Sequence, residues 1–180
     1  WTAAVAAGEG FVGTKIVSIF PGNGARGVPS TLGTYVLMSG ATGQTLAVMN
    51  SLVLTSRRTA AASALAARHL ARADAGRMVM VGAGQLAPHL VRAHARVRPI
   101  AAVDCWNRDP AKARALAATL AADGLSARAV EDLEAAVRAA DLVSCATLSN
   151  APLIHGAWLK PGSHLDLVGG IHRLRDGELP

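Results

Sequence analysis

Apolar residues in the first third of the chain come in short runs separated by polar turns. The runs at 13–20 and 33–38 are typical of strands. A turn of small and polar residues at 39–44 separates the second run from a third at 45–50. Two apolar runs on either side of a glycine-containing turn predict a β-hairpin. This part of the chain is therefore predicted to form an antiparallel sheet.

Leucine, valine and alanine recur at helical spacing from about 52 to 73, which favours a helix over that range. Asp74, Ala75 and Gly76 follow directly. Because glycine is common just beyond the last residue of a helix, these residues predict that the helix ends there.

After Gly76, short strands alternate with helices. The run at 78–81 is continuously apolar, as expected of a strand buried on both faces. Further strands are predicted at 100–106, near 127–130, at 141–147 and at 164–168, with helices from just after Gly84 to about Val97, from Pro110 onward and at 131–140. This alternation predicts a parallel sheet with right-handed crossovers. The fold class is therefore α/β, a Rossmann-type doubly wound parallel sheet preceded by part of an antiparallel β domain.

The net charge of +6 would suit a nucleic-acid partner, but the basic residues are scattered and the six aromatic residues do not interleave with them. We therefore expect no nucleic-acid partner; a small anionic ligand fits the modest positive bias as well. The charge-free stretch 27–56 is interrupted by proline, glycine, glutamine and asparagine, so no membrane span is predicted. The chain is expected to be soluble and cytoplasmic.

Two cysteines, Cys105 and Cys145, each lie in an apolar run that is predicted to be a strand. Neither belongs to a CxxC pair or to a Cys/His ligand spacing, so no metal site is expected. We predict buried, reduced thiols, in keeping with a cytoplasmic protein.

A glycine motif follows the strand at 78–81. Gly82, Gly84 and Ala87 form G-x-G-x-x-A between that strand and the next predicted helix. In this context the first glycine permits a tight turn, the second lets a pyrophosphate approach the backbone, and the alanine keeps helix and strand close. The N-terminus of the helix then offers unpaired N–H groups to the phosphates. The motif predicts a dinucleotide-binding site.

The residues at the tip of the next strand indicate which dinucleotide is bound. Domains that bind NAD usually carry Asp or Glu there, whereas this chain has Asn107 and Arg108, with Lys112 one helical turn later. Arginine offers a 2′-phosphate a charge-assisted pair, which favours NADPH over NADH. Asp109 is adjacent, but we assign it the N-cap of the helix that starts at Pro110. Asp104 lies earlier in the strand and is expected to point elsewhere.

Six segments of the chain resemble the ornithine cyclodeaminase/μ-crystallin family, in the order in which that family carries them. The chain looks closest to bacterial Δ1-pyrroline-2-carboxylate reductase-like members. The segments are GTKIVSIFPGN (13–23), SRRTAAASALAARHLAR (56–72), VMVGAG (79–84), CWNRDPAKA (105–113), DLVSCATLSNAPLI (141–154) and LKPGSHLDLVGG (159–170).

The resemblance implies roles for individual positions. Lys15 matches a lysine that contacts the substrate's carboxylate and imine region, and Arg58 matches an arginine near the substrate and the cofactor phosphate. Both sit among apolar residues, and a buried cation needs an anionic partner, so a bound carboxylate or phosphate is expected beside them. The alternative is that both are solvated residues at the surface. The other positions that the resemblance assigns to the cofactor are Ser30, Gln85, Leu86, Asn107, Arg108, Thr147, Val168, Gly169 and Gly170.

One position departs from the family's cyclodeaminases. Those enzymes carry an aspartate directly after the Gly-Gly pair for acid/base chemistry at the amine, and here that position is Ile171. The resemblance therefore implies a reductase of cyclic ketimines, with Δ1-pyrroline-2-carboxylate or Δ1-piperideine-2-carboxylate as substrate and L-proline or L-pipecolate as product. Three alternatives remain: ornithine cyclodeaminase activity, alanine dehydrogenase-type activity, and a non-catalytic NADP(H)-binding protein like the crystallins of the family.

The resemblance also implies a domain plan and a homodimer. Family members extend beyond both ends of this chain, so we expect it to be a partial copy. Whether this part is active by itself is a separate question from the activity of the family. The expected parts are a partial substrate-binding and dimerisation domain at 1–56, a connecting helix at 57–75, an NADP(H)-binding Rossmann domain at 76–170 and a divergent tail at 171–180.

Overall fold

The computed structural model describes residues 10–29, 31–147, 149 and 151–169. The chain divides into two compact units, Trp1–Arg58 and Thr59–Pro180. The boundary falls inside a helix, α1, which runs from Ser51 to Leu70.

A three-stranded antiparallel sheet forms the first unit. Its strands are β1 (Phe11–Ile19), β2 (Thr31–Ser39) and β3 (Thr45–Asn50), in the order β1-β2-β3. The hairpin predicted at 33–50 is confirmed, because β2 pairs with β3 antiparallel. Its turn is held by Ser39, whose Oγ accepts hydrogen bonds from the N–H groups of Ala41 and Thr42 at 3.3 and 3.2 Å. A 3-10 helix at Pro21–Arg26, which the apolar pattern did not predict, lies between β1 and β2.

Helix α1 begins where expected but ends earlier. The side chain of Asn50 accepts a hydrogen bond of 2.8 Å from Leu52 N–H at its start. The helix stops at Leu70 rather than near residue 73, so the predicted end was wrong by one turn. The guanidinium of Arg98 donates to the carbonyl oxygens of Arg68 and Ala71, both at 2.7 Å. A distant side chain thus satisfies carbonyl groups that would otherwise continue the helix.

A five-stranded parallel sheet with helices between its strands forms the second unit, which confirms the predicted fold class. Its strand order is β6-β5-β4-β7-β8, and every neighbouring pair is parallel. The strands are β4 (Arg77–Val81), β5 (Ala102–Trp106), β6 (Ala127–Ala129), β7 (Leu142–Cys145) and β8 (His164–Leu167), and the helices are α2 (Ala87–Val97), α3 (Pro110–Ala122) and α4 (Leu133–Ala139).

Local signals explain where two of these helices start. The Asp109 side chain accepts a hydrogen bond of 3.0 Å from Ala111 N–H, and Pro110 is the first helical residue, so the predicted N-cap is confirmed. Asp132 caps α4 in the same way, through Ala135 N–H at 2.9 Å. Each carboxylate satisfies a backbone donor that the helix itself leaves unpaired.

The core of the second unit lies on both faces of the parallel sheet. Strand β4 is buried from Met78 to Val81, as its continuous apolar run predicted. Alternate residues of the strands therefore enter two separate clusters. One cluster contains Met78, Met80, Leu90, Leu120 and Leu142, and the other contains Val79, Val81, Val137 and Val143.

The first unit buries much less of its apolar surface. Ile16, Ile19 and Val48 each expose more than three-fifths of their surface, at 63%, 68% and 66%. Since Ile16 and Ile19 are three residues apart on one strand, they lie on opposite faces of the sheet. Both faces of this small sheet thus present apolar side chains. Among the described residues, no helix has the length and apolar character that crossing a membrane requires.

Candidate functional site

The centre of the parallel sheet is the point at which the chain reverses its winding direction. From β4 the chain winds outward through β5 to β6, and it then returns to β7, beside β4, and winds outward to β8 on the other side. In sheets of this kind, ligands bind in the crevice beyond the carboxyl ends of the two central strands. The G-x-G-x-x-A motif lies at this end of β4.

Gly82 occupies a backbone position that no other residue type would fit. Its φ is +103°, and a Cβ placed there would overlap the carbonyl oxygen of Ala146, just beyond β7. Its N–H donates to Trp106 O at 2.8 Å. The turn after β4 is therefore fixed from both neighbouring strands.

Gly84, by contrast, faces open space. A Cβ there would meet no atom within 4 Å. Within the part of the chain that the structure describes, the N–H groups of Gly84, Gln85 and Leu86 have no hydrogen-bond partner, and α2 begins at the fully buried Ala87. Free N–H groups at the N-terminus of a helix form a site for phosphate groups. The turn thus fits the pyrophosphate of a dinucleotide.

Asn107, at the tip of β5, is bonded to the glycine turn. Its Oδ1 accepts a hydrogen bond of 3.3 Å from Ala83 N–H, and its Nδ2 donates to Asp109 O at 3.1 Å. Arg108 and Lys112 are exposed and form no ion pair with any described residue. Arg108, which follows Asn107 in the sequence, is therefore exposed and without an ionic partner among the described residues, whereas the amide of Asn107 is already engaged.

Asp104 is directed away from this tip, as expected from its place in β5. Its carboxylate is 3% exposed and lies between the guanidinium groups of Arg77, at 2.8 Å, and Arg128, at 2.6 Å. Burial alone would raise the pKa of Asp104, but the hydrogen bonds from Arg128 and Arg77 outweigh it and hold the pKa below its usual range. This carboxylate links β5 to its two neighbours and is not a ribose ligand.

The residues assigned to the cofactor beyond β7 and β8 lie next to one another. The N–H groups of Val168 and Gly169 donate to Cys145 O at 2.9 and 3.0 Å. A Cβ on Gly169 would overlap the backbone of Thr147. Thr147, Val168 and Gly169 thus border the same crevice as Gly82. Ser30 and Gly170 lie outside the described residues.

Lys15 and Arg58 belong to the first unit, and neither is buried. Of the two alternatives left by the sequence, a buried cation and a residue at the surface, the structure supports the second, because both side chains are exposed. Lys15 Nζ donates a hydrogen bond of 2.7 Å to Thr55 Oγ1 on α1. Arg58 follows Thr55 by three residues, so the two share a face of the helix. The structure therefore brings the ammonium of Lys15 to the helix face that carries Arg58.

Two features that the sequence singled out thus have a described geometry: the glycine turn after β4, and Lys15, which is bonded to the helix that carries Arg58. A family model described as the ornithine cyclodeaminase/mu-crystallin family matches residues 3–177. The chain belongs to this family. The match extends past Gly170, the last residue of the segments that carry the resemblance.

Two relatives and one solved structure are similar to this family member over most of its length. The Δ1-pyrroline-2-carboxylate reductase of Paracoccus denitrificans is 44% identical over 162 residues, which are 88% of this chain and 51% of that protein. Protein SAR DEFICIENT 4 of Arabidopsis thaliana is 42% identical over 172 residues, 92% of this chain and 53% of that protein. The structure of Thermococcus litoralis Δ1-pyrroline-2-carboxylate reductase in complex with NADH and L-proline matches with a TM-score of 0.85 and 32% identity, covering 89% of this chain and 50% of that one. The chain spans about half the length of the curated relatives it matches.

One polar cluster in this family member was missed by sequence reasoning. His94 is fully buried on α2, and its Nε2 donates to Asp166 Oδ2 at 3.2 Å, while Ser144 Oγ donates to the same oxygen at 2.7 Å. Burial would raise the pKa of Asp166, but these hydrogen bonds outweigh it and lower the pKa. The only signal in the sequence was Asp166 itself, which lies between the two leucines of HLDLV. That run was interpreted as an apolar strand, so its aspartate was overlooked.

The thiols of both cysteines are buried, as predicted. Burial raises the pKa of Cys105 to about 12, and it also raises the pKa of Cys145. Neither thiol is a nucleophile at neutral pH. Over the described ranges, no group of three or more His, Cys, Asp or Glu residues is arranged to hold a metal ion.

Proposed function

We propose that the protein is an NADPH-dependent reductase of cyclic ketimines, which converts Δ1-pyrroline-2-carboxylate or Δ1-piperideine-2-carboxylate to L-proline or L-pipecolate. The observation that carries this proposal is the open glycine turn at the point where the sheet reverses, in a chain that belongs to this family. Its similarity to reductases named for the first of these imines supports the choice of substrate class.

The glycine turn supports a nicotinamide dinucleotide as cofactor. The free N–H groups of Gly84, Gln85 and Leu86 would bind its pyrophosphate, and Thr147, Val168 and Gly169 would border its nicotinamide half. When bound, the cofactor supplies the hydride that reduces the imine carbon. Ser30 and Gly170 keep their expected cofactor roles in this proposal.

Arg108 supports the choice of NADPH. Its guanidinium is exposed at the tip of β5 and has no carboxylate partner among the described residues, so it is available to a 2′-phosphate. The complex of the similar Thermococcus litoralis enzyme contains NADH. We propose the preference for the 2′-phosphate as a property of this chain, which rests on Arg108 with Lys112 nearby.

Lys15 and Arg58 would bind the carboxylate of the imino acid. Two exposed cations on neighbouring elements suit a small anion, and fixing its orientation supplies part of the rate enhancement. A protonated imine already carries the positive charge that activates its carbon toward hydride, so this reaction needs no carboxylate at the position of Ile171.

We also propose a cytoplasmic homodimer that pairs through the three-stranded sheet. The apolar side chains exposed on both faces of that sheet, among them Ile16, Ile19 and Val48, suit burial against a second copy. Buried thiols that stay reduced agree with a cytoplasmic location.

The test is a substrate panel with the full-length protein. Oxidation of NADPH is measured with each cyclic imine, release of ammonia is measured with ornithine, and NADH oxidation is measured with pyruvate and ammonia. Turnover of a cyclic imine with NADPH supports the proposal. Ammonia release from ornithine without imine reduction would make the protein a cyclodeaminase, and turnover of pyruvate alone would make it an amino-acid dehydrogenase. Binding of NADPH, seen by fluorescence, without any turnover would indicate a non-catalytic protein.

A further inference from the structure

The side chain of Lys15 is fixed at both of its ends, although it is exposed. Its backbone lies in the middle of β1, in register with Tyr35 of β2. Its Nζ donates a hydrogen bond of 2.7 Å to Thr55 Oγ1, on the second turn of α1. The position of the ammonium group is therefore set by the helix as well as by the strand.

The hydroxyl of Thr55 can accept from a cation but has no proton left to donate. Its Oγ1 donates a hydrogen bond of 2.6 Å to the carbonyl oxygen of Ser51, one turn back in the helix. A hydroxyl has one proton and two lone pairs. With the proton committed to Ser51, the lone pairs remain for Lys15, so this contact has one possible direction.

The contact leaves Lys15 free to bind an anion. A lysine ammonium has three N–H donors, and Thr55 takes one of them. Arg58 lies three residues after Thr55 on the same face of α1. The hydroxyl thus sets where the remaining donors of Lys15 lie relative to the guanidinium of Arg58.

We propose that Thr55 is a positioning residue of the substrate site: its hydroxyl holds the ammonium of Lys15 in the orientation that binds the carboxylate of the imino acid. This inference rests on the proposed function, which provides Lys15 with its ligand. A lysine that is already held loses less rotamer entropy when the ligand binds. Because Arg58 and the lysine itself remain to orient the carboxylate, loss of the hydroxyl mainly weakens binding, which raises KM and leaves kcat nearly unchanged.

Two readouts on the full-length protein test this role. The variant T55V removes the hydroxyl and keeps the shape of the side chain, whereas T55S keeps the hydroxyl. The matched control is T119V, because Thr119 on α3 donates to Ala115 O at 3.0 Å in the same helical pattern and has no lysine partner among the described residues. The first readout is the acetylation rate of Lys15 by an N-hydroxysuccinimide ester, quantified by mass spectrometry against the exposed Lys112. The second is steady-state kinetics with the cyclic imine and NADPH.

In T55V we expect the ester to acetylate Lys15 about 3- to 10-fold faster than in the wild type. We also expect the KM for the imine to rise about 10-fold and the KM for NADPH to stay unchanged. T55S and T119V should match the wild type in both readouts. Equal acetylation of wild type and T55V, a fall in kcat without a rise in KM, or a T55S variant that behaves like T55V would overturn the role. If T55V does not fold, T55A is the second variant without the hydroxyl. If the wild type reduces neither imine, the proposed function fails, while the acetylation rates still decide whether Thr55 holds Lys15.

Discussion

The side-chain oxygen of Asn107 accepts a hydrogen bond of 3.3 Å from the backbone N–H of Ala83. A residue at the tip of β5 thus holds the middle of the glycine turn that follows β4. The resemblance assigned Asn107 to the ribose phosphate, but its amide is already used to connect two loops. Asn107 is therefore expected to maintain the shape of the phosphate site for both cofactors, and not to select between NADPH and NADH.

Replacement of Asn107 by alanine should weaken both dinucleotides to the same degree. The change removes the acceptor for Ala83 N–H and the donor to Asp109 O, so the turn loses a support that both cofactors need. One hydrogen bond of this kind corresponds to about a 10-fold loss of affinity. Fluorescence titration of the full-length protein with NADPH and NADH measures it. A loss confined to NADPH would show that Asn107 selects the 2′-phosphate directly.

Replacement of Arg108 by alanine should weaken NADPH far more than NADH. The exposed guanidinium has no described partner in the protein, so its removal costs only the contact with the 2′-phosphate. A charge-assisted hydrogen bond corresponds to about a 10- to 100-fold change in Kd. The same titration measures it, with R114A as the control, because Arg114 is another exposed arginine on the neighbouring helix α3. Equal losses for the two cofactors would remove the basis for assigning NADPH.

The two glycines of the turn should respond to alanine in opposite ways. G82A places a Cβ against Ala146 O at a φ of +103°, which should destabilise the fold by about 2 kcal/mol or more. G84A meets no protein atom within 4 Å, so the free energy of unfolding should change by less than about 1 kcal/mol. The added methyl group would instead lie where the pyrophosphate approaches, and cofactor affinity should fall.

Urea unfolding and cofactor titration of G82A and G84A separate the two effects. A G84A variant that binds NADPH as well as the wild type does would place the phosphates elsewhere. A G82A variant as stable as the wild type would mean that the turn relaxes away from Ala146 at no cost.

Asp141 should make stability depend on pH in the acid range. Burial acts to raise its pKa, but Lys160 and the N–H groups of Arg77 and Gly76 outweigh burial and lower the pKa from 3.8 to about 2. The folded state therefore binds this proton less readily than the unfolded chain. The stability that the carboxylate contributes is complete above pH 3.8 and is lost as the pH falls through about 2.

The variant D141N tests this contribution. At pH 7 it should lower the free energy of unfolding by about 1 to 2 kcal/mol, and the difference from the wild type should shrink as the pH falls from 4 to 2. Urea unfolding at a series of pH values measures both. D74N is the matched control, since Asp74 is 78% exposed and should contribute little. A difference that stays constant down to pH 2 would show that the charge of Asp141 is not what matters.

The order and type of the main elements could be predicted from the spacing of apolar residues. Each strand and helix buries one or both of its faces, and its apolar residues recur at the spacing of the buried face. The N-cap at Asp109 followed from the Asp-Pro pair. The end of α1 did not, because it depends on Arg98, which is remote in sequence and reaches Arg68 O and Ala71 O. The 3-10 helix at Pro21–Arg26 is too short to leave a periodic signal.

The candidate site was predicted in part. The glycine turn was visible because its residue types serve its geometry directly. The exposure of Lys15 and Arg58 and the cluster of His94 with Asp166 were not, since burial and partners of a polar side chain are set by tertiary contacts. Thr55 had no sequence signal of its own, because a threonine in a helix is ordinary until a lysine from another element meets it.

The glycine turn is hydrogen-bonded to Trp106 and Asn107 and lies against Ala146 O, whereas Arg108 forms no ion pair with any of the described residues. In the proposed function, cofactor preference therefore depends on a residue that the turn itself does not need. Under that proposal, a substitution at Arg108 would change the preference between the two dinucleotides, during evolution or in the laboratory, without rebuilding the glycine turn. The hydrogen bonds of Trp106 and Asn107 to the turn would stay in place through such a change.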